Sequence, residues 1–457
     1  MPVRSSLLPP NVLHPAVRIA TALTTLAVFT ACSPDQPGPT GPSPQLDVST
    51  TLASSTETLA SPRWQATARN LVSAANYAAV VATRVYPIVG VAQYLAVQRA
   101  EAAIGGGDKQ SEKFSAPGNG DGARQRAATD RGAVAGASVV TLTYLFPASK
   151  QALEDMVTAQ ASVGSAKAQA AFVAGEAIGR VVGAEIVARS IADHFNDPNT
   201  AVPPAGGTAA GFWTPNVAGQ MVAGGTLPGT RPWFLTSSDQ FKPDPHPPFG
   251  STAFKDALAE IRHISDTRTP EQIRIASFWA LSNGTPTTSG FWLERASEFI
   301  VQRGLSERKA THIFALLSAT MFDAQIGCWD EKLRSWLVRP WKADPAITTF
   351  LPVGMPNHPS YPSGHSCLSA SGASVISKFF PDKRAQLDAM VIEAGLSRMY
   401  GGIHYRFDIE AGQKLGRNVA RFTIRRDASG NSVLTDDKDD RKHERGDGEH
   451  EGDDGQS

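Results

Sequence analysis

The sequence predicts an all-α protein made of packed helical bundles, and three observations lead there. Long alanine-rich stretches carry apolar residues at three- and four-residue spacing, with few prolines inside them. Strand-like alternation is scarce. At 457 residues and 41% apolar content, the chain is long enough to bury one large core or two medium ones.

The elements follow in order. Arg4 and Arg18 precede the apolar stretch IATALTTLAVF, which leads into Thr30-Ala31-Cys32. This is the pattern of an export signal, residues 1–31, ending at a cysteine that takes a lipid anchor. Phe29 stands where leucine is usual, so plain cleavage without lipidation is the alternative. Residues 32–55, with SPDQPGPTGPSPQ, hold neither helix nor strand and read as a linker. An N-terminal helical region, 56–229, is expected to contain helices over 63–103 and 123–191 around a loop at 105–122. The Gly-, Pro- and Trp-rich stretch 198–251 is too long for a tight connection, and either covers a functional site or is a surface excursion. A catalytic helical region, 230–425, is expected to place helices at 252–263, 270–283, 288–304, 306–327, 364–379, 383–398 and 404–421. Thr269-Pro270-Glu271-Gln272 suits a helix start. Beyond the signal no uninterrupted apolar run reaches the roughly 18 residues of a membrane span. Residues 426–457 read as a charged, disordered tail, with ten acidic against four basic residues from 436 onward.

Charge and cysteine usage exclude several function classes. Lys plus Arg and Asp plus Glu both number 43, so no basic excess favours nucleic acid as a partner. Three cysteines make no disulfide framework, and Cys328 and Cys367 are expected to be free, buried thiols. Neither HExxH nor clustered Cys/His ligands occur, which disfavours a zinc hydrolase.

Three clusters in the second half collect donors and cations suited to a tetrahedral oxyanion. In KLRSWLVRP, Lys332 and Arg339 lie seven positions apart, about two turns along one face if the helix persists. In YPSGH, a turn leads into a helix whose free N–H groups bind anions; Ser363 adds a hydroxyl, Gly364 permits close approach and His365 can move a proton. In SRMYGGIHYRFD, Arg398 adds a third cation, and Asp408 lies where it can accept the ring N–H of His404. Asp323 and Asp330 are further candidates to tune His365 or Lys332.

KLRSWLVRP, PSGH and SRMYGGIH, in this order, resemble the three-part signature shared by vanadium-dependent haloperoxidases and type 2 phosphatidic acid phosphatases. The resemblance implies helical bundles of that type and an oxyanion, vanadate or phosphate, held by Lys332, Arg339, Ser363, Gly364 and Arg398. His404 would be the axial vanadium ligand or, in a phosphatase, the nucleophile that becomes a phosphohistidine. His365 would be the acid–base group, accepting a proton from hydrogen peroxide or protonating a leaving alcohol.

The membrane phosphatases of the superfamily span the bilayer many times, and its bacterial acid phosphatases are shorter, so the resemblance favours the peroxidase. Its implied partners are hydrogen peroxide, halide and a small organic substrate. Trp329 resembles an aromatic that flanks the halide site, and His358 occupies a position where chloride-oxidising members carry Phe and bromide- or iodide-oxidising members carry His. A phosphatase, or a tethered protein that only binds the oxyanion, are the alternatives; a mere binder would need neither histidine.

Overall fold

The computed structural model describes residues 59–104, 120–204, 210–351, 354–430 and 432–435. The predicted export signal, the linker up to residue 55 and the tail from residue 436 lie outside them. Among the described residues there are thirteen α-helices and no strand. They are α1 (Ala60–Ala74), α2 (Ala79–Ala103), α3 (Asp121–Leu145), α4 (Lys150–Ala161), α5 (Ala166–Ile191), α6 (Thr252–Thr267), α7 (Pro270–Phe278), α8 (Thr287–Gln302), α9 (Glu307–Ser335), α10 (Pro340–Ala343), α11 (Gly364–Phe379), α12 (Arg384–Tyr400) and α13 (Arg406–Ala428).

The all-α expectation holds, with boundaries moved by local chemistry. The stretch expected as one helix over 63–103 is two, because Asn76 takes a left-handed conformation (φ 53°) between α1 and α2. The stretch 123–191 is three, broken at Pro147 and at Gly164 (φ 91°). Thr269 caps α7 in a reciprocal box with Gln272, but the helix ends at Phe278 rather than 283. α13 continues to Ala428, where Asp427 pairs with His312 (2.9 Å), so residues 426–428 belong to a helix and not to the tail.

The 29-residue α9 is the axis of the molecule. Its sides are taken by α2, α8, α11 and α13, which leaves Phe314, Leu317, Phe322 and Ile326 fully buried in one continuous core. Each such side chain contributes roughly 1.5–3 kcal/mol. α2 is long and apolar enough to cross a membrane, yet lies inside this core. Its first turn is tied to α9, since buried Gln325 donates through Nε2 to the Val80 carbonyl (3.0 Å). At the far end Glu307, also buried, accepts the backbone N–H groups of Ala60 (2.7 Å) and Ser61 (2.8 Å) and so caps α1.

Candidate active site

The site forms where α9, α11, α12 and α13 end or begin. α9 runs to Ser335 and stops because Trp336 adopts a left-handed conformation (φ 47°). Lys332 therefore sits in the last helical turn while Arg339 lies beyond it as the residue preceding α10. The two do not share one helical face, as the spacing suggested; the reversal at Trp336 brings them to the same place.

Lys332, Arg339 and Arg398 are 0%, 0% and 1% exposed, and Asp408 (0%) is the carboxylate packed among them. Burial lowers Lys332 to about 8, Arg398 to about 9 and Arg339 to about 10. Three buried cations against one carboxylate leave a surplus of positive charge that a bound anion would offset.

Each cation has its own geometry. Arg339 donates from Nε to the His358 carbonyl (3.0 Å), from Nη2 to His358 Nδ1 (3.0 Å), and from Nη1 to the Ile403 carbonyl (2.7 Å) and His404 Nε2 (2.9 Å). Arg398 donates from Nε to Ser397 Oγ (2.8 Å) and from Nη2 to the Ala276 carbonyl (3.2 Å). The Lys332 ammonium donates to the carbonyls of Pro359 (2.8 Å), Ser360 (2.9 Å) and Pro362 (2.5 Å). It cross-braces the loop that leads into α11 and supplies charge from behind it.

Ser363 is the N-cap of α11, accepting from the Ser366 N–H (3.4 Å). The N–H groups of Gly364 and His365 follow in the first turn, where no intrahelical acceptor exists, and point an anion-binding helix end at the site. A side chain at Gly364 would meet the Trp329 ring at 3.2 Å, so glycine lets α11 begin this close to it. Trp329 is held by its indole N–H on the Ala223 carbonyl (2.8 Å), and its ring lies 4.9 Å from that of His358.

The two central histidines have defined tautomers. Asp408 Oδ2 accepts His404 Nδ1–H (2.7 Å), the Ser360 hydroxyl (2.5 Å) and the Tyr405 N–H (3.1 Å), whereas Oδ1 has no partner. His404 thus carries its proton on Nδ1 and presents the Nε2 lone pair toward Arg339. His365 donates from Nε2 to the Trp279 carbonyl (3.0 Å), which leaves Nδ1 as its basic nitrogen. Burial, with Arg339 and Lys332 beside His404 and Arg398 beside His365, holds both well below the usual imidazole range, so both are neutral at pH 7.

A cavity of about 430 Å³ opens onto this arrangement, lined by Arg339, Arg398, His404, His365, Gly364, His358 and Trp329 among others. The sequence-predicted residues therefore converge, with Lys332, Ser363 and Asp408 buried behind the lining. Two candidates do not join them. Asp323 accepts the backbone N–H groups of Trp233 (2.8 Å), Phe234 (2.7 Å) and Leu235 (2.9 Å), and Asp330 pairs with Arg334 (2.5 Å) and Ser238 (3.0 Å). Both carboxylates serve the 198–251 stretch and its surroundings rather than His365 or Lys332. That stretch does cover the site: Gly211–Trp213 bonds along 336–338, and Gln220 and Ala223 line the cavity. Cys328 and Cys367 are free and buried, as expected; burial, with Cys328 nearby, pushes the Cys367 thiol well above the usual range, and Cys328 donates to the Pro362 carbonyl (3.8 Å). Sequence reasoning missed Ser360, whose hydroxyl serves Asp408 and whose carbonyl serves Lys332; nothing in HPSYPSGH distinguished it from a turn serine.

Residues 310–428 match the PAP2 superfamily. The fold is similar to that of a bacterial vanadium-dependent iodoperoxidase, at 24% identity and a TM-score of 0.64, over 80% of this chain and 96% of that one. It is also similar to the holo form of a bacterial vanadium-dependent chloroperoxidase (15% identity, TM-score 0.59, 76% and 92% of the two chains) and to an apo form (15%, 0.58, 75% and 93%). No curated protein sequence matches the chain.

Proposed function

Taking as premise that residues 310–428 belong to the PAP2 superfamily, we propose that the protein is a vanadate-dependent haloperoxidase that oxidises bromide or iodide with hydrogen peroxide. The observation that carries this reading is the surplus of buried cations gathered around a neutral His404 whose basic Nε2, here accepting from Arg339 Nη1, faces the cavity where it could bond an electrophilic centre instead.

The donor set fits vanadate. Arg339, Arg398 and the N–H groups at the start of α11 would hold its oxygens, Lys332 would add charge from behind the loop, and His404 Nε2 would be the vanadium ligand. When bound, vanadate supplies a Lewis-acidic centre that makes peroxide oxygen susceptible to attack by halide. The overall reaction takes hydrogen peroxide, halide and one proton to hypohalous acid and water. His365 handles that proton at Nδ1, because its Nε2–H is committed to the Trp279 carbonyl. Asp408 keeps the His404 proton on Nδ1, and Ser360 holds Asp408 in turn.

The preference for bromide or iodide rests on His358. Its ring lies against Trp329 and takes a bond from Arg339 Nη2, so a polar, neutral imidazole stands beside the cations where a phenyl ring would leave an apolar wall. We also infer that the chain is exported and anchored through a lipid on Cys32; palmitate labelling that persists in Cys32→Ser would contradict this. The function is tested by bromide and iodide oxidation with purified protein and peroxide. Activity that requires added orthovanadate and is lost in His404→Ala is the expected result, and activity indifferent to vanadate overturns the reading.

A further inference from the structure

Two carboxylates stand behind the two central histidines, one in contact and one at a remove. Asp408 holds His404 directly. His365 is held by a backbone carbonyl, that of Trp279, and Trp279 is held in turn by Glu393, whose Oε1 accepts the indole N–H (2.8 Å). Glu393 lies on α12, the helix that presents Arg398, and belongs to none of the three sequence clusters.

The place of Trp279 in the chain makes its carbonyl depend on its side chain. It is the C-cap of α7, with φ −84° and ψ 11°, so no helical N–H follows to take that carbonyl and set its direction. Leu281, two residues on, is already in the left-handed region (φ 33°), where the chain turns toward α8. Trp279 is fully buried, its ring 4.9 Å from that of Phe291 and 5.4 Å from that of Phe278, and Glu393 is the partner of its one polar side-chain atom. A hydrogen bond to a carboxylate is roughly twice as strong as one between neutral groups, and losing it would leave a buried N–H unsatisfied. Arg398 makes a second tie between the same two helices, since its Nη2 donates to the Ala276 carbonyl (3.2 Å). α7 thus turns its carbonyl end on the site. Burial and Arg398 lower His365, and the carbonyls of Trp279 and Ala280 oppose them.

We propose that Glu393 is a positioning residue for proton transfer: by fixing the indole of Trp279 it fixes the carbonyl that keeps the His365 proton on Nε2, and so keeps Nδ1 basic. The inference rests on the haloperoxidase reading, in which His365 handles the proton of the reaction at Nδ1. Without the Glu393 bond the end of α7 relaxes, the ring loses its fixed acceptor and both neutral tautomers become populated. The tautomer with its proton on Nδ1 has no lone pair there and cannot take up a proton at that atom.

The test reads the His365 tautomer by nitrogen-15 NMR of histidine-labelled, vanadate-free protein, with the signal assigned by its loss in His365→Ala. A single Nε2–H tautomer is expected in the wild type and in Glu393→Gln, which keeps an acceptor for the indole. A mixture of the two is expected in Glu393→Leu and, independently, in Trp279→Phe, which removes the donor itself and keeps the test open if Glu393→Leu fails to fold. With vanadate, bromide and peroxide, turnover should fall about tenfold or more in both of these variants, a part of the roughly 100- to 10,000-fold that a positioned acid–base group supplies. Vanadate affinity should stay within a few fold, and Glu393→Gln should turn over as the wild type does. A tautomer unchanged in Glu393→Leu and Trp279→Phe, or Glu393→Gln turning over no faster than Glu393→Leu, overturns the proposal. Reading the tautomer needs no turnover, so a tautomer that follows Glu393 in a protein without vanadate-dependent halide oxidation would sink the haloperoxidase reading alone. Halide oxidation with a tautomer indifferent to Glu393 would sink the positioning role alone.

Discussion

Asp408→Asn should weaken vanadate binding while making the vanadate-free protein more stable. The carboxyl is fully buried and raised by that burial from 3.8 to about 6, although the Ser360 hydroxyl, Lys332 and Arg339 favour its charge. Keeping it ionised at pH 7 therefore costs about 3 kcal/mol, at 1.36 kcal/mol per pKa unit. Because the folded-state value lies above the unfolded one, the stability this group contributes is present below about pH 4 and is lost as pH rises through about 6. Asparagine keeps the shape and cannot ionise. Set against the loss of a charge-assisted bond from Ser360, roughly 1.5 kcal/mol or more, the net gain should be on the order of 1 kcal/mol. The same substitution exchanges the charged acceptor that fixes the His404 tautomer for a weaker neutral amide, and losses of this kind reduce metal affinity roughly 10- to 100-fold. Calorimetric melting without vanadate and vanadate titration on the same preparations read the two effects. A variant that binds vanadate as the wild type does, or that loses stability and affinity together, would refute the argument that Asp408 is kept charged for His404 at the expense of stability.

Other outcomes follow from the geometry. His365→Ala should keep vanadate affinity within a few fold and lose most peroxide-dependent turnover, since the proposed role of His365 is to handle the proton; parallel losses in a binding titration and a turnover assay would contradict this. Gly416→Ala should cost about 1–3 kcal/mol, because its Cβ would meet the Cys367 carbonyl at 2.3 Å and force α13 from α11; an unchanged melting temperature would show that the helices separate freely. Asp130, away from the site, is raised to about 8 by burial and by Glu101 and Glu307, against the opposing pull of Arg308 and Arg131. Its folded-state value exceeds the unfolded one, so wild-type stability should fall as pH rises through about 8 while Asp130→Asn stays flatter in melting measured from pH 6 to 9.

Much of this site can be read from the chain, because its groups sit at helix ends with local signals. Ser363 before Gly364 marks an N-cap, Thr269 and Gln272 mark a capping box, and the four-residue step from His404 to Asp408 brings ring and carboxylate together at the start of α13. What local pattern does not encode is the reversal at Trp336, since a left-handed tryptophan is imposed by its packing against Trp213 and Val222 and not by propensity. Nor does it encode the remote partners of buried polar groups: Asp323 was close in sequence to the site, yet its lone pairs are taken by backbone 88 to 90 residues away. The contribution of α2 to the cavity wall was invisible for the same reason, because Val80 meets Gln325 only across the folded core.

The most direct test of the central claim is to assay one preparation side by side for bromide oxidation by peroxide and for hydrolysis of a phosphate monoester, with and without orthovanadate, in wild type and His404→Ala. The account predicts bromide oxidation that appears with vanadate and disappears with His404. Phosphate-ester hydrolysis that needs His404 and is inhibited by vanadate, with no halide oxidation, would contradict it and assign the pocket to a phosphatase working through a phosphohistidine.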